Sequence, residues 1–285
     1  MGCRFGASSH GAGGGVRVDE VNRPNRQKRR LRGKSDPVDA EPATRAVLSG
    51  EATVTPKTGD GPVKAICQLR IARNGGSRRA AANQLHSLCD AAPDDIRARL
   101  HGLSLRKKIA VCERWRPGSA HTPEVAAKPA LVSVAHRWRA LDHEIGELDG
   151  HLKAILNQIA RPLLALRGVG YETAGQLLVT AGDNPHRLRV ASSYAALCAS
   201  SPVKASSGKM RRQHRLNRGG DRHANSALWR IVLTRMSNHQ PTSAYVERRT
   251  KEGLSKPEIM RCLKRYAPAK SSHSCAPCGR PTTVD

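Results

Sequence analysis

A chain of 285 residues with 49 Lys and Arg against 23 Asp and Glu carries a formal charge of +26, a surplus that points to a polyanionic partner, nucleic acid before any other. No run of about 18 apolar residues and no charged-then-apolar opening occurs, so neither a membrane span nor a secretory signal is expected and the chain reads as cytosolic. With one Phe, three Trp and four Tyr, stacking on single-stranded bases has few carriers, which leaves backbone electrostatics as the main source of binding.

Residues 1–15 are rich in Gly, Ser and His and have no periodicity, whereas residues 16–21 alternate apolar and polar in the manner of a short strand. Seven basic residues follow between Arg23 and Lys34. Asp36-Pro37-Val38-Asp39 then reads as a helix start, with Asp36 as N-cap, Pro37 as first helical residue and Asp39 as the third. Weak helices are expected to about residue 112, from the spacing of Ile66, Leu69, Leu85, Leu88, Ile96 and Leu100. Pro117 and Pro123 place a loop next.

The clearest periodic signal comes after that loop. Leu131, Val134, Trp138, Leu141, Ile145, Leu148, Leu152, Ile155 and Ile159 alternate steps of three and four, an a/d seam four heptads long that Pro162 closes. A stripe this narrow needs a partner helix. Dimerisation with a second copy is the preferred reading and an intramolecular hairpin the alternative.

Beyond Pro162, Gly168-Val169-Gly170 is a tight turn before a helix at residues 173–180. Two glycines between helices resemble a helix-hairpin-helix, whose backbone amides at a helix N-terminus meet a DNA phosphate. The same turn also serves as a plain helix connection. A helix at residues 224–236 carries Ala227, Leu228, Ile231 and Val232 on one face. The last helix starts at Ser255, with Glu258 completing a capping box, and Pro268 is expected to stop it. The eight cysteines read as free thiols. Cys275-x-x-Cys278 beside His273 is half of a zinc site with no second pair.

Two constellations could carry chemistry. Asp36 and Asp39, three apart at a helix start, offer paired carboxylates of the kind that hold Mg²⁺, which can polarise a phosphate. Acids at those positions equally stabilise a helix start with no metal. Residues 201–222 hold seven Lys and Arg against one Asp and include Ser201, Ser206 and Ser207, the last followed by Gly208. A serine beside glycine among cations suits attack on a phosphodiester. The segment reads equally as a basic loop that grips the DNA backbone through Lys204, Lys209, Arg211, Arg212, Arg215 and Arg218.

Residues 32–40, the Gly168-Val169-Gly170 turn, residues 201–208 and the Asn217-Arg218-Gly219-Gly220-Asp221-Arg222 run occur in this order around the seam. Together they resemble the IS110 family of insertion-sequence transposases, which includes the IS116 and IS902 elements, over residues 16–266. The resemblance implies a mainly α protein with a residual α/β part: an irregular N-terminus (1–15), the remnant of a RuvC-like, RNase H-like nuclease domain (16–115), a coiled-coil spacer (124–161), a helical transposase domain with the helix-hairpin-helix-like turn (162–267), and a disordered tail (268–285). It implies serine attack on DNA, with Mg²⁺ held by four acids of which Asp36 and Asp39 match the last two. Ser207 is the matched nucleophile, with Ser206 and Ser201 as alternatives. DNA is the implied partner, and a structured guide RNA accompanies some members.

The chain departs from that pattern at both ends. The first two acids of the family precede the segment that opens here at residue 16, so an N-terminally truncated, impaired copy with weak or absent Mg²⁺ binding is expected. The rival reading is a non-catalytic basic nucleic-acid-binding protein. A third is an interaction protein that joins an intact transposase through the seam.

Overall fold

The computed structural model describes residues 19–21, 36–52, 56–57, 59–75, 78–116, 123–183, 191–204, 214–216 and 219–274. Helices dominate these residues: α1 (Asp36–Leu48), α2 (Pro62–Gly75), α3 (Arg78–Asp90), α4 (Asp94–Leu100), α5 (Leu105–Glu113), α6 (Pro123–Ile159), α7 (Arg161–Leu164), α8 (Tyr171–Ala181), α9 (Ala191–Leu197), α10 (Arg222–Asn238), α11 (Gln240–Lys251) and α12 (Lys256–Ser274). Between α9 and α10, strands β1 (Pro202–Lys204) and β2 (His214–Leu216) pair antiparallel, Val203 opposite Arg215. Two compact units result: Gln68–Ala154 forms one, and Met1–Cys67 with Ile155–Asp285 forms the other.

The 68–154 unit is built on an apolar cluster. Ala81, Leu85 and Cys89 recur every four residues on α3 and meet Ile96 and Leu100 of α4, Ile109 and Cys112 of α5, and Leu131, Val134 and Trp138 of α6. Each buried Leu or Ile contributes roughly 1.5–3 kcal/mol relative to exposure. The same contacts decide the fate of the seam. Its first half lies in this cluster, with Leu141 at the margin, and Ile145, Leu152 and Leu156 are buried further along. The first half of the stripe is thus covered within the chain by α3, α4 and α5, whereas Leu148, Ile155 and Ile159 of the second half are half-buried. Ion pairs flank this packing: Arg78 with Asp142, Arg73 with Asp149, and Arg139 with Glu113 at 2.9 Å.

In the other unit α8 is almost wholly buried, from Thr173 to Ala181 apart from the half-buried Val179. It packs on α10, which also meets α11 and α12. On α10 the buried residues are Ala224, Ala227, Leu228, Ile231 and Val232, the face expected from their spacing. Tyr194 of α9 is fully buried and its hydroxyl donates to Leu177 O at 2.9 Å. The N-terminal stretch joins this unit at the end of α8. Val63 N donates to Asp183 Oδ1 at 2.8 Å, capping α2, and Lys57 Nζ donates to Val179 O at 3.0 Å. The N-terminal part of this unit ends at Cys67.

Several local expectations meet the structure directly. α1 begins at Asp36, the chain breaks between α6 and α7 with Pro162 in the first turn of α7, and Ser255 N donates to Glu258 Oε2 at 2.9 Å in the capping box. Others need correction. α12 continues through Pro268 to Ser274, because a proline removes one helical hydrogen bond without obliging the helix to stop. The start of the expected disordered tail is thus helical, and residues 275–285, with Cys275 and Cys278, lie outside the described residues. Of the strand expected at residues 16–21 only 19–21 are described, where Glu20 makes one β-bridge. Cys89, Cys112 and Cys262 are free thiols as expected, whereas Cys67 is disulfide-bonded.

Candidate nucleic-acid interface

The turn at residues 168–170 is built by backbone constraint. Gly168 sits at φ +80°, and a Cβ there would stand 3.0 Å from Ile231 O of α10. Only glycine combines that conformation with so close an approach. Arg235, also on α10, donates from Nε to Arg167 O at 2.6 Å, and burial lowers the pKa of its guanidinium. Gly170 differs. Its φ is −107°, nothing lies within 4 Å of a Cβ there, and its amide donates to Thr173 Oγ1 at 2.9 Å. Thr173 thus occupies one amide that a phosphate would use, and Glu172 adds an acid to the first turn of α8. Gly168 has a packing role that the sequence pattern did not distinguish from DNA contact.

The basic segment between α9 and α10 is a hairpin at its base. Lys204 lies on β1 opposite His214, and Arg215 lies on β2 opposite Val203. Ser201 is half-buried at the entry. Ser206, Ser207, Lys209, Arg211, Arg212 and Arg218 lie outside the described residues.

The ends of this hairpin are tied by groups that sequence reasoning missed. Asp221 N-caps α10, accepting from His223 N at 2.8 Å through Oδ1. Its Oδ2 accepts from Thr180 Oγ1 at 2.7 Å and from Gln176 Nε2 at 3.0 Å, both on α8. Its own amide donates to Leu197 O at 2.7 Å, so the exit of the hairpin is fastened to the end of α9. Gly220 is pressed into the same joint, where a Cβ would stand 2.3 Å from Ala199 N and 2.6 Å from Ala196 O and Leu197 O. The Gly-Gly-Asp run was the available signal, but its partners Thr180 and Gln176 carry none.

Asp36 is exposed at the start of α1, and Asp39 follows three residues on in the same helix. Among the described residues no three His, Cys, Asp or Glu side chains come together as a metal ion would require.

Residues 160–247 match the model of the Transposase IS116/IS110/IS902 family. Over these residues the chain is similar to the transposase domain of that family. No curated protein matches the chain. The transposase match covers α7 to α10 and most of α11, and so includes the glycine turn, the β1–β2 hairpin and the Asp221 joint. Among the described residues no helix is long and apolar enough to cross a membrane.

Proposed function

We propose that this chain acts on DNA as an insertion-sequence transposase whose β1–β2 hairpin presents Ser207 to a phosphodiester. The observation that carries the reading is the coincidence of three features in one matched domain: the serine-glycine pair, seven Lys and Arg against one Asp over residues 201–222, and a hairpin base fastened to α8 and α9. Cations gathered on one hairpin suit phosphate binding and stabilise charge that develops at phosphorus. Ser207 Oγ would form a bond to phosphorus as the bond to the leaving DNA oxygen breaks. The serine proton passes to solvent and the leaving oxygen takes one up. The phosphoserine ester keeps the bond energy for rejoining to another strand, with Ser206 and Ser201 as alternative nucleophiles. Lys204, Lys209, Arg211, Arg212, Arg215 and Arg218 hold the backbone.

Asp36 and Asp39 enter this reading as two acids of a metal site. Binding without cleavage is the second reading, favoured by the surplus of cations over residues 201–222. A guide RNA would bind through the same basic surface, and a homo-oligomer would use the half-buried second part of the seam at Leu148, Ile155 and Ile159.

The test is a denaturing-gel search for a protein–DNA adduct with end-labelled duplex, alongside binding titrations at several salt concentrations. The wild type is expected to bind with a steep salt dependence and to form an adduct that Ser207→Ala abolishes. An adduct undiminished in Ser207→Ala refutes the nucleophile. Salt-steep binding without any adduct selects the binding-only reading, and no binding refutes both.

A further inference from the structure

A second tie closes the hairpin on its entry side. Lys264 of α12 is buried at 8% exposure, and its Nζ donates to Asn225 Oδ1 on α10 at 2.9 Å. Asn225 Nδ2 in turn donates to Cys198 O at 3.1 Å and Ala199 O at 2.7 Å, the last residues before the hairpin. An ammonium can only donate, so it fixes the amide with its oxygen toward α12 and its NH₂ toward those carbonyls. Ala199 needs holding. It sits at φ +54°, where helix ends usually carry glycine, while Ser200 N donates to Ala195 O at 2.9 Å to close the α9 cap. A buried lysine is a costly way to fill space, since an apolar side chain would pack there without desolvating a charge.

We propose that Asn225 and Lys264 are positioning residues that, opposite Asp221, hold the neck of the β1–β2 hairpin in one arrangement for DNA. The entry is held through Asn225 and the exit through Asp221, so one joint gathers α8, α9, α10 and α12 at the root of the segment. The inference rests on the reading of the hairpin as the DNA-contacting element, but its structural half is tested apart from it.

The experiment compares wild type, Asn225→Asp and Lys264→Met as full chains, by amide hydrogen exchange and by binding of a duplex at several salt concentrations. Asn225→Asp keeps an acceptor for Lys264 but turns an oxygen on the carbonyls of Cys198 and Ala199. Lys264→Met frees the amide to flip. Both are expected to speed exchange of the β1 and β2 amides about tenfold or more while α8 amides keep their protection, since local openings are governed by local contacts. DNA affinity should fall by a similar factor with an unchanged salt slope, because no phosphate-contacting cation is lost, whereas Arg215→Ala should flatten the slope. Unchanged exchange in both variants overturns the proposal, as does exchange that rises equally in α8, which marks a merely structural role. Faster hairpin exchange with unchanged affinity overturns the preorganisation half. If wild type binds no DNA, the functional reading fails while the exchange data still judge the neck.

Discussion

The two units differ in what fills their interiors. The 68–154 unit is centred on aliphatic and aromatic side chains from α3 to α6. The unit that holds the transposase domain buries Thr173, Gln176, Thr180, Thr242 and Lys264, against Arg70 alone in the other, among the described residues. An apolar cluster needs only volume and patterning and is silent about chemistry. A buried polar network is tolerated only when its donors and acceptors are matched, so its presence says that something has to be held in one orientation. Here Gln176, Thr180 and Lys264 bond to Asp221 and Asn225 at the neck of the hairpin.

The comparison is most easily broken in the apolar unit. Leu85→Ala removes a fully buried side chain and should cost about 2–5 kcal/mol of that unit's stability, read by urea unfolding, while DNA affinity stays at the wild-type value. A loss of affinity in a folded Leu85→Ala protein would show that the two interiors are not separate in function. Gly220→Ala should act the other way. Its Cβ meets backbone that cannot give, so about 3 kcal/mol is lost in the transposase unit and DNA binding is lost with it.

Two glycines of one turn give a finer contrast. Gly168→Ala is expected to cost about 1–2 kcal/mol through its left-handed φ. Gly170→Ala should cost less, roughly 0.5–1 kcal/mol, as an N-cap change. If Gly170→Ala nevertheless weakened DNA binding as much as a lost cation, the turn would be a phosphate contact rather than a packing device.

The smallest effects are in pH, and in both units stability is gained as pH rises, through windows far apart on the pH scale. Burial, reinforced by Arg261, lowers the pKa of Lys264 below its ordinary 10.5. Between the lowered value and 10.5 the unfolded chain binds the extra proton, so wild type should gain stability on Lys264→Met as pH rises through that window. Glu113 is held below its ordinary 4.5 by the hydrogen bond from Arg139. Its contribution is complete above 4.5 and is lost as pH falls through the lowered value, so the difference between wild type and Glu113→Gln should fade in acid. Both are read from melting temperature against pH, and a Lys264 difference that is flat with pH would mean the ammonium is solvated.

Much of the helical framework was legible. Asp36, Pro162 and the Ser255–Glu258 box mark helix ends by capping and by proline chemistry, and the stripe on α10 reports its buried face. α9 and α11 were not legible, the first being short and the second burying little beyond Thr242. The three-residue strands β1 and β2 were hidden in a run of cations. Of the candidate site, the charge, the serines and the glycine runs could be read directly. The Asp221 joint could not, because Thr180 and Gln176 stand 41 and 45 residues away and nothing local couples them.

By itself the sequence determined the electrostatic character of the partner, the positions of the helix ends, and a motif order sufficient to resemble a transposase family. Those are local or summed properties, set by composition and by neighbours a few residues apart. The tertiary structure alone decided that the first half of the 131–159 seam is filled from its own chain, that Gly168 packs against α10, and that Asn225, Lys264 and Asp221 converge on the hairpin neck. Periodicity states which face of a helix is buried but not what covers it, and hydrogen-bond partners distant in sequence meet only when the helices that carry them pack.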